Sequence, residues 1–333
     1  MRHRDIFGHL PDGRPVERLS LDAHGMQVRI ITWGATVQDL RVGPQRVILG
    51  ADDLATYLGG LRYAGAMVGR FANRIGQARF ALDGTEHHTD PNFQDRHTLH
   101  GGATGTGARL WSLEDIGPDH ATLGILLPDG DGGFPGELTA RVTYAILPGP
   151  ALSVTTEATT TRATPCSFAH HGYFVLDDTG DITGHLLQVD AAGYLPVDDG
   201  LIPTGQVAPV EGTPFDFRDG RRIGADRYDH NLCLSPQRVA CRPVARLTSP
   251  VSGLEMIVET TESGLQIYDG RHLGGVAGHG NRRLRANAGL AMEAQCWPDA
   301  PNRPDFPDAI LRPGATYRSV TRYRFAPEAE NAA

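Results

Sequence analysis

The sequence predicts an all-β chain built as a large antiparallel β-sandwich with few short helices. Three observations carry that expectation: apolar and polar residues alternate in runs rich in β-branched residues, Gly and Pro punctuate those runs, and helical spacing is rare and short. Val28–Trp33 and Arg46–Leu49 are the first strand-like runs. Leu138–Leu147 and Leu152–Ala158 are the longest, and Leu147-Pro148-Gly149-Pro150 between them reads as a hairpin connection. Pro128-Asp129-Gly130-Asp131-Gly132-Gly133 is a second strong turn signal. The best helical candidate is Asp52–Leu58, a turn or two at most. Nothing resembles a linker, a low-complexity segment or a fixed-period repeat, so residues 1–333 are expected to form one domain, with the polar tail Pro327–Ala333 frayed.

One stretch breaks the regularity in an informative way. In Leu290–Asn302 an apolar run carries a lone carboxylate, Glu293, and Pro298, Pro301 and Pro304 then forbid a regular ladder. A strand that delivers one acid to a pocket and then ends would have this pattern.

The chain has 333 residues, 40% hydrophobic and 21% charged, with a formal net charge of -8. Acidic residues outnumber basic ones and no basic block occurs, which excludes a nucleic-acid backbone or an anionic membrane surface as the expected partner. A small neutral ligand suits the balance. The N-terminus lacks a secretory apolar run and no later stretch is long enough to span a membrane, so a cytoplasmic protein is expected, as a monomer or homodimer. Cys166, Cys233, Cys241 and Cys296 show no Cys-x-x-Cys spacing and read as reduced, mostly buried thiols.

Four clusters set ionisable side chains among glycines and aromatics: Gly69–Ile75, Leu99–Gly102, Ala169–Phe174 and Arg227–Asn231. A metal is not expected from them. His170 and His171 are adjacent, so on a strand they point to opposite faces, and the His97/His100 pair has no second half. No Gly-Lys-Ser or Gly-Lys-Thr follows Gly105-Thr106-Gly107, and no cofactor is expected.

Taken in order, these clusters resemble the aldose 1-epimerase (galactose mutarotase) family. The matching stretches are Trp33-Gly34-Ala35, Leu49–Asp53, Gly69–Ile75, Leu99–Gly102, His171–Phe174, Pro196-Val197-Asp198, Ile202–Gly205, Gly212–Phe217, Tyr228–Asn231, Gly264–Tyr268, the Glu293 segment and Leu311–Gly314. The resemblance covers nearly the whole chain. It implies a galactose mutarotase-like supersandwich that binds a free sugar such as galactose or glucose and interconverts its α and β anomers without metal or cofactor. Carried over, it makes Glu293 the general base and His171 the general acid, with His100 beside them in the catalytic group. Asp229 would hold sugar hydroxyls with His100, while Asn73, Arg74 and Gln266 would complete a polar floor.

The chemistry needs such a set. Mutarotation opens a hemiacetal: one group takes the proton of the anomeric hydroxyl while another protonates the ring oxygen, and the same groups act in reverse after rotation about the first carbon–carbon bond. An acid and a base on opposite sides of the sugar suffice. Histidine suits the acid because its ordinary pKa lies near neutrality, and a neighbouring Asp229 or Glu293 carboxylate is expected to favour its charged form. Trp297 and Phe134 are candidates for an aromatic platform under the ring.

Five positions depart from the family pattern. His170 and Val175 each stand where an Asn is usual, Asp269-Gly270-Arg271 replaces Thr-Gly-Asn, and Ala294 replaces Thr. Arg271 brings an acidic sugar into consideration. The competing readings are an epimerase for a phosphorylated or acidic sugar, a non-catalytic sugar-binding or regulatory module, and a glycoside hydrolase using Asp229 and Glu293.

Overall fold

The computed structural model describes residues 4–327. The all-β expectation holds, and three antiparallel sheets dominate. A nine-stranded sheet runs in the order Ser112–Ile116, His120–Leu127, Leu138–Leu147, Ala151–Thr160, Tyr317–Pro327, Leu254–Thr260, Arg242–Ser249, Leu186–Val189 and Arg221–Arg222. A six-stranded sheet runs Tyr173–Phe174, Leu290–Gln295, Gly264–Tyr268, Asp229–Cys233, Gly193–Tyr194 and Ala208–Pro209. The first five strands, from Arg4–His9 to Gln45–Arg46, form a meander of their own.

The Leu138–Leu147 strand appears as expected, and its partner extends to Ala151–Thr160, joined through Pro148, Gly149 and Pro150. Asp131–Gly133 is a short 3-10 turn inside the expected Pro128–Gly133 connection. The single α-helix among the described residues is Leu54–Leu58, started by Asp53, whose carboxylate accepts the Thr56 N–H at 2.9 Å. Two runs differ from their expected bounds. Val28–Trp33 is a strand only over Met26–Ile31, because the chain turns at Gly34 (φ +67°) and leaves Trp33 bridging Leu110 singly. Of Arg46–Leu49, Arg46 stays in the first sheet and the Val47 N–H still donates to the Leu40 carbonyl there at 2.9 Å; Ile48 bridges Phe174 and the Leu49 N–H donates to the Tyr173 carbonyl at 2.8 Å. That run therefore crosses between sheets and ties the N-terminal meander to the edge of the six-stranded one.

One continuous core joins the three sheets. Leu232, Leu265, Ile267, Leu290 and Met292 project from one face of the six-stranded sheet into a buried cluster with Met256, Val258 and Tyr323 of the nine-stranded sheet. The Tyr323 and Phe174 rings lie 4.6 Å apart, and the buried Tyr144 hydroxyl donates to the Ala35 carbonyl at 2.6 Å. Burying each such side chain contributes about 1.5–3 kcal/mol. With one face committed to this core, the opposite face of the six-stranded sheet is free to carry polar residues.

Cys166 and Cys296 are buried, Cys233 and Cys241 are half-buried, and all four are unpaired thiols. No helix among the described residues is long and apolar enough to cross a membrane. The tail expected to fray begins at Pro327, the last residue of a strand, and its residues 328–333 lie outside the described residues.

Candidate active site

Strand register assembles the site. Asn231 lies opposite Gln266, and Gln266 opposite Glu293. Two residues along, Asp229 lies opposite Tyr268, Tyr268 opposite Ala291, and Ala291 opposite Tyr173. Because side chains alternate along a strand, both rows share one face, and their neighbours Leu232, Leu265, Ile267 and Met292 face the core. His171, two residues before Tyr173, continues the Glu293 row: its Nε2 is 3.5 Å from Glu293 Oε1. Burial on both faces explains why every residue of Leu290–Gln295 is inaccessible.

Two loops close over this sheet. Asn73 and His100 both adopt left-handed conformations (φ +64° and +53°) and hold each other: His100 N–H donates to the Asn73 carbonyl at 3.0 Å, and Asn73 N–H to His100 Nδ1 at 3.1 Å. Arg74 follows directly. The proline-rich stretch fixes its position, for Asp299 N–H donates to the Arg74 carbonyl (2.9 Å) and the Asp299 carboxylate accepts the Gly76 N–H (2.8 Å). Strand termination after Glu293 thus anchors the loop that reaches back over it.

The resulting cavity measures about 530 Å³ and is lined by His100, His171, Glu293, Asn73, Arg74 and Asp229 from the expected set. Gln266 lies one step beneath the wall, where its Nε2 donates to Asp229 Oδ1 at 2.6 Å. Arg74 Nη2 pairs with the other Asp229 oxygen at 3.0 Å. With both oxygens engaged, Asp229 is a clamp and not a free proton donor.

The aromatic platform is elsewhere than expected. Trp297 donates its indole N–H to the Ser263 carbonyl at 2.8 Å and packs on Phe306, and Phe134 stacks with Phe80; both belong to a secondary core cluster away from the cavity. Tyr63, Phe93, Tyr173 and Tyr268 line the cavity instead. Tyr173 and Tyr268 stand two residues after His171 and Gln266, so strand alternation alone points to them.

None of the five departures from the family pattern lines the cavity. His170 points to the opposite face and meets the Tyr323 hydroxyl at 3.2 Å. Val175 lines a separate groove, and Ala294 faces the core opposite Leu265. Asp269 is buried and accepts the Arg271 N–H at 3.0 Å, while the Arg271 guanidinium sits 3.6 Å from that carboxylate at the surface.

Electrostatics here are governed by burial. Desolvation, with the Asp229 charge adding to it and Arg74 opposing, raises the Glu293 carboxyl to about 8. Desolvation lowers His171 to about 4, overriding the Asp229 carboxylate; the expectation that neighbouring carboxylates keep His171 charged is therefore wrong. His100 is likewise held well below its ordinary value by burial and by His171.

His100, His171 and Glu293 each bring one possible ligand atom within 4.8 Å of the others, a set distinct from the histidine pairs considered on the sequence. Because His100 Nδ1 accepts a backbone N–H, its proton resides on Nε2. That ring offers the cavity a hydrogen-bond donor, and a cation there would require an imidazolate.

A family model described as aldose 1-epimerase matches residues 17–324. Galactose mutarotase of Mus musculus is 39% identical over 97% of this chain and 98% of that protein, and aldose 1-epimerase of Escherichia coli K12 is 35% identical over 96% and 97%. Among solved structures, an aldose epimerase homologue from C. elegans superposes with a TM-score of 0.88 at 28% identity, covering 94% of this chain and 100% of that one. Galactose 1-epimerase from Lactobacillus acidophilus gives 0.85 at 25% identity, covering 98% of each. The chain belongs to the aldose 1-epimerase family, the carbohydrate isomerases that interconvert the anomers of an aldose.

Proposed function

We propose that this chain is a mutarotase of a free neutral aldose such as galactose or glucose, and that Glu293 and His171 work as one pair sharing a single proton. The observation that carries this is the 3.5 Å approach of His171 Nε2 to Glu293 Oε1 on the cavity floor, while the remaining Glu293 Oε2 and His171 Nδ1 have no partner among the described residues. The pair sits side by side, not on opposite sides of the sugar. That arrangement suffices because the ring oxygen and the anomeric hydroxyl are bonded to the same carbon.

With the proton on His171, the Glu293 carboxylate takes the anomeric O–H proton. The electrons of that bond form the aldehyde C=O, the bond from the first carbon to the ring oxygen breaks, and the ring oxygen receives the His171 proton. Glu293 is then neutral and so is His171. This is the state that burial favours, and it suits the open-chain aldehyde, to which Glu293 returns its proton on reclosure. His100 Nε2–H and the Arg74–Asp229 pair hold sugar oxygens, and the tyrosine faces cover the ring's C–H patches.

Catalysis in this scheme requires one proton on the pair. Below about 4 His171 gains a second, and above about 8 Glu293 loses the only one. The profile of kcat/KM against pH is therefore flat between about 4 and about 8 and falls on both sides. A single limb at the ordinary histidine value of about 6.5 would contradict the shared proton.

Polarimetry on freshly dissolved α-D-glucose and α-D-galactose tests the activity: the expected result is faster decay to an unchanged final rotation. The matching uronate should be turned over no better, since Arg271 lies away from the cavity. Binding without acceleration would instead support a sugar-binding module. The unpaired thiols support a cytoplasmic setting.

A further inference from the structure

We propose that a buried water beneath the sugar clamp links Arg74, Gln266 and Asn231, and that Asn231 positions the clamp through it. A small cavity of about 10 Å³ lies behind Asp229, lined among others by Arg74, Asn231, Gln266, Leu195, Val197 and Pro298. That is about the least volume that holds one water.

The hydrogen-bond count identifies the occupant. Arg74 commits Nη2 to Asp229 (3.0 Å) and Nη1 to Asn73 (3.4 Å), but its Nε–H has no partner among the described residues. Gln266 commits Nε2 to Asp229, and its Oε1 has none. Asn231 donates Nδ2 to the Leu232 carbonyl (3.3 Å), and its Oδ1 has none. All three residues are buried. The three residues that carry one unmatched donor and two unmatched acceptors therefore all line one water-sized space. A water accepts from the first and donates to the other two, which satisfies all three.

The consequence falls on Asp229. Gln266 must present Nε2 to the carboxylate, and a flipped amide would bring Oε1 against it; a donor held at Oε1 prevents the flip. The same water restrains the Arg74 fork at Nε. Asn231 touches no sugar-facing wall of the main cavity, so it acts only as a positioning residue. Its place explains why Gly264 is glycine: a Cβ there would come within 2.3 Å of Asn231 Oδ1.

Two measurements test this. A crystal structure of the unaltered protein, at a resolution that shows ordered waters, should place one water within hydrogen-bond distance of Arg74 Nε, Gln266 Oε1 and Asn231 Oδ1. A dry cavity, or those atoms turned to protein partners, would overturn the inference whether or not any variant folds. Kinetically, Asn231→Leu should raise KM about tenfold, the worth of one hydrogen bond in a charged network, with kcat and both pH limbs nearly unmoved. Asn231→Ser, which keeps an acceptor, should recover most of the loss. An unchanged KM in a folded Asn231→Leu protein counts against the proposal, as does an equal fall in kcat. The kinetic arm rests on the mutarotase reading above and the crystallographic arm does not. A wet cavity in a protein without mutarotase activity defeats only that reading; a dry one in an active enzyme defeats only this inference.

Discussion

Glu293→Gln lowers kcat for mutarotation by about 10²–10⁴-fold, the usual worth of a placed acid or base, while KM changes little. The amide fills the same volume and keeps the strand register opposite Gln266, so the loss isolates proton transfer from shape. Stability moves the other way, and its sign follows from linkage. In the folded protein Glu293 holds its proton up to about 8, whereas the unfolded chain releases it near 4.5. Between those values the folded state binds more protons than the unfolded one, so stability falls as pH rises through the window. The variant has no such proton. Its melting temperature should therefore gain on the parent from pH 5 to pH 8, and the gap should stay constant above. A kcat within tenfold of the parent removes Glu293 from the chemistry; a gap that does not widen with pH removes the buried proton.

Much of this site is legible in the sequence, because strand alternation converts spacing into geometry. Glu293 in an apolar run reads as a buried acid, and the Asp229, Gln266 and Glu293 segments fall on adjacent strands in one register. The same rule, applied two residues on, would have given Tyr173, Tyr268 and Asn231. Trp297 and Phe134 mislead for a different reason: their flanks do not say which face they take, and Trp297 satisfies its N–H on the Ser263 carbonyl inside a separate cluster. Tyr63 and Phe93 carry no local signal at all. They reach the cavity from loops whose placement depends on long-range contacts such as the Asn73–His100 exchange. The protonation state of His171 is equally invisible to local reading, since a sequence shows the neighbouring carboxylates but not the desolvation that outweighs them.

His171→Asn should cost as much as the loss of the carboxylate, about 10²–10⁴-fold in kcat. The more telling variant carries both changes. Groups that work as one unit are far from additive, so Glu293→Gln with His171→Asn should fall little below the weaker single variant. The physical reason is the single shared proton: once either member is gone, the anomeric hydroxyl cannot lose a proton while the ring oxygen gains one, and removing the second member takes nothing more away. Asp229→Asn offers the contrast. It loosens the Arg74 and Gln266 contacts and withdraws a charge that helps hold the Glu293 proton, but Asp229 carries neither transferred proton, so its loss should combine nearly additively with that of Glu293→Gln and fall mainly on KM. Multiplying losses in the Glu293–His171 double variant would mean that the two groups act in separate steps, and the 3.5 Å approach between them would then be a packing contact without catalytic meaning.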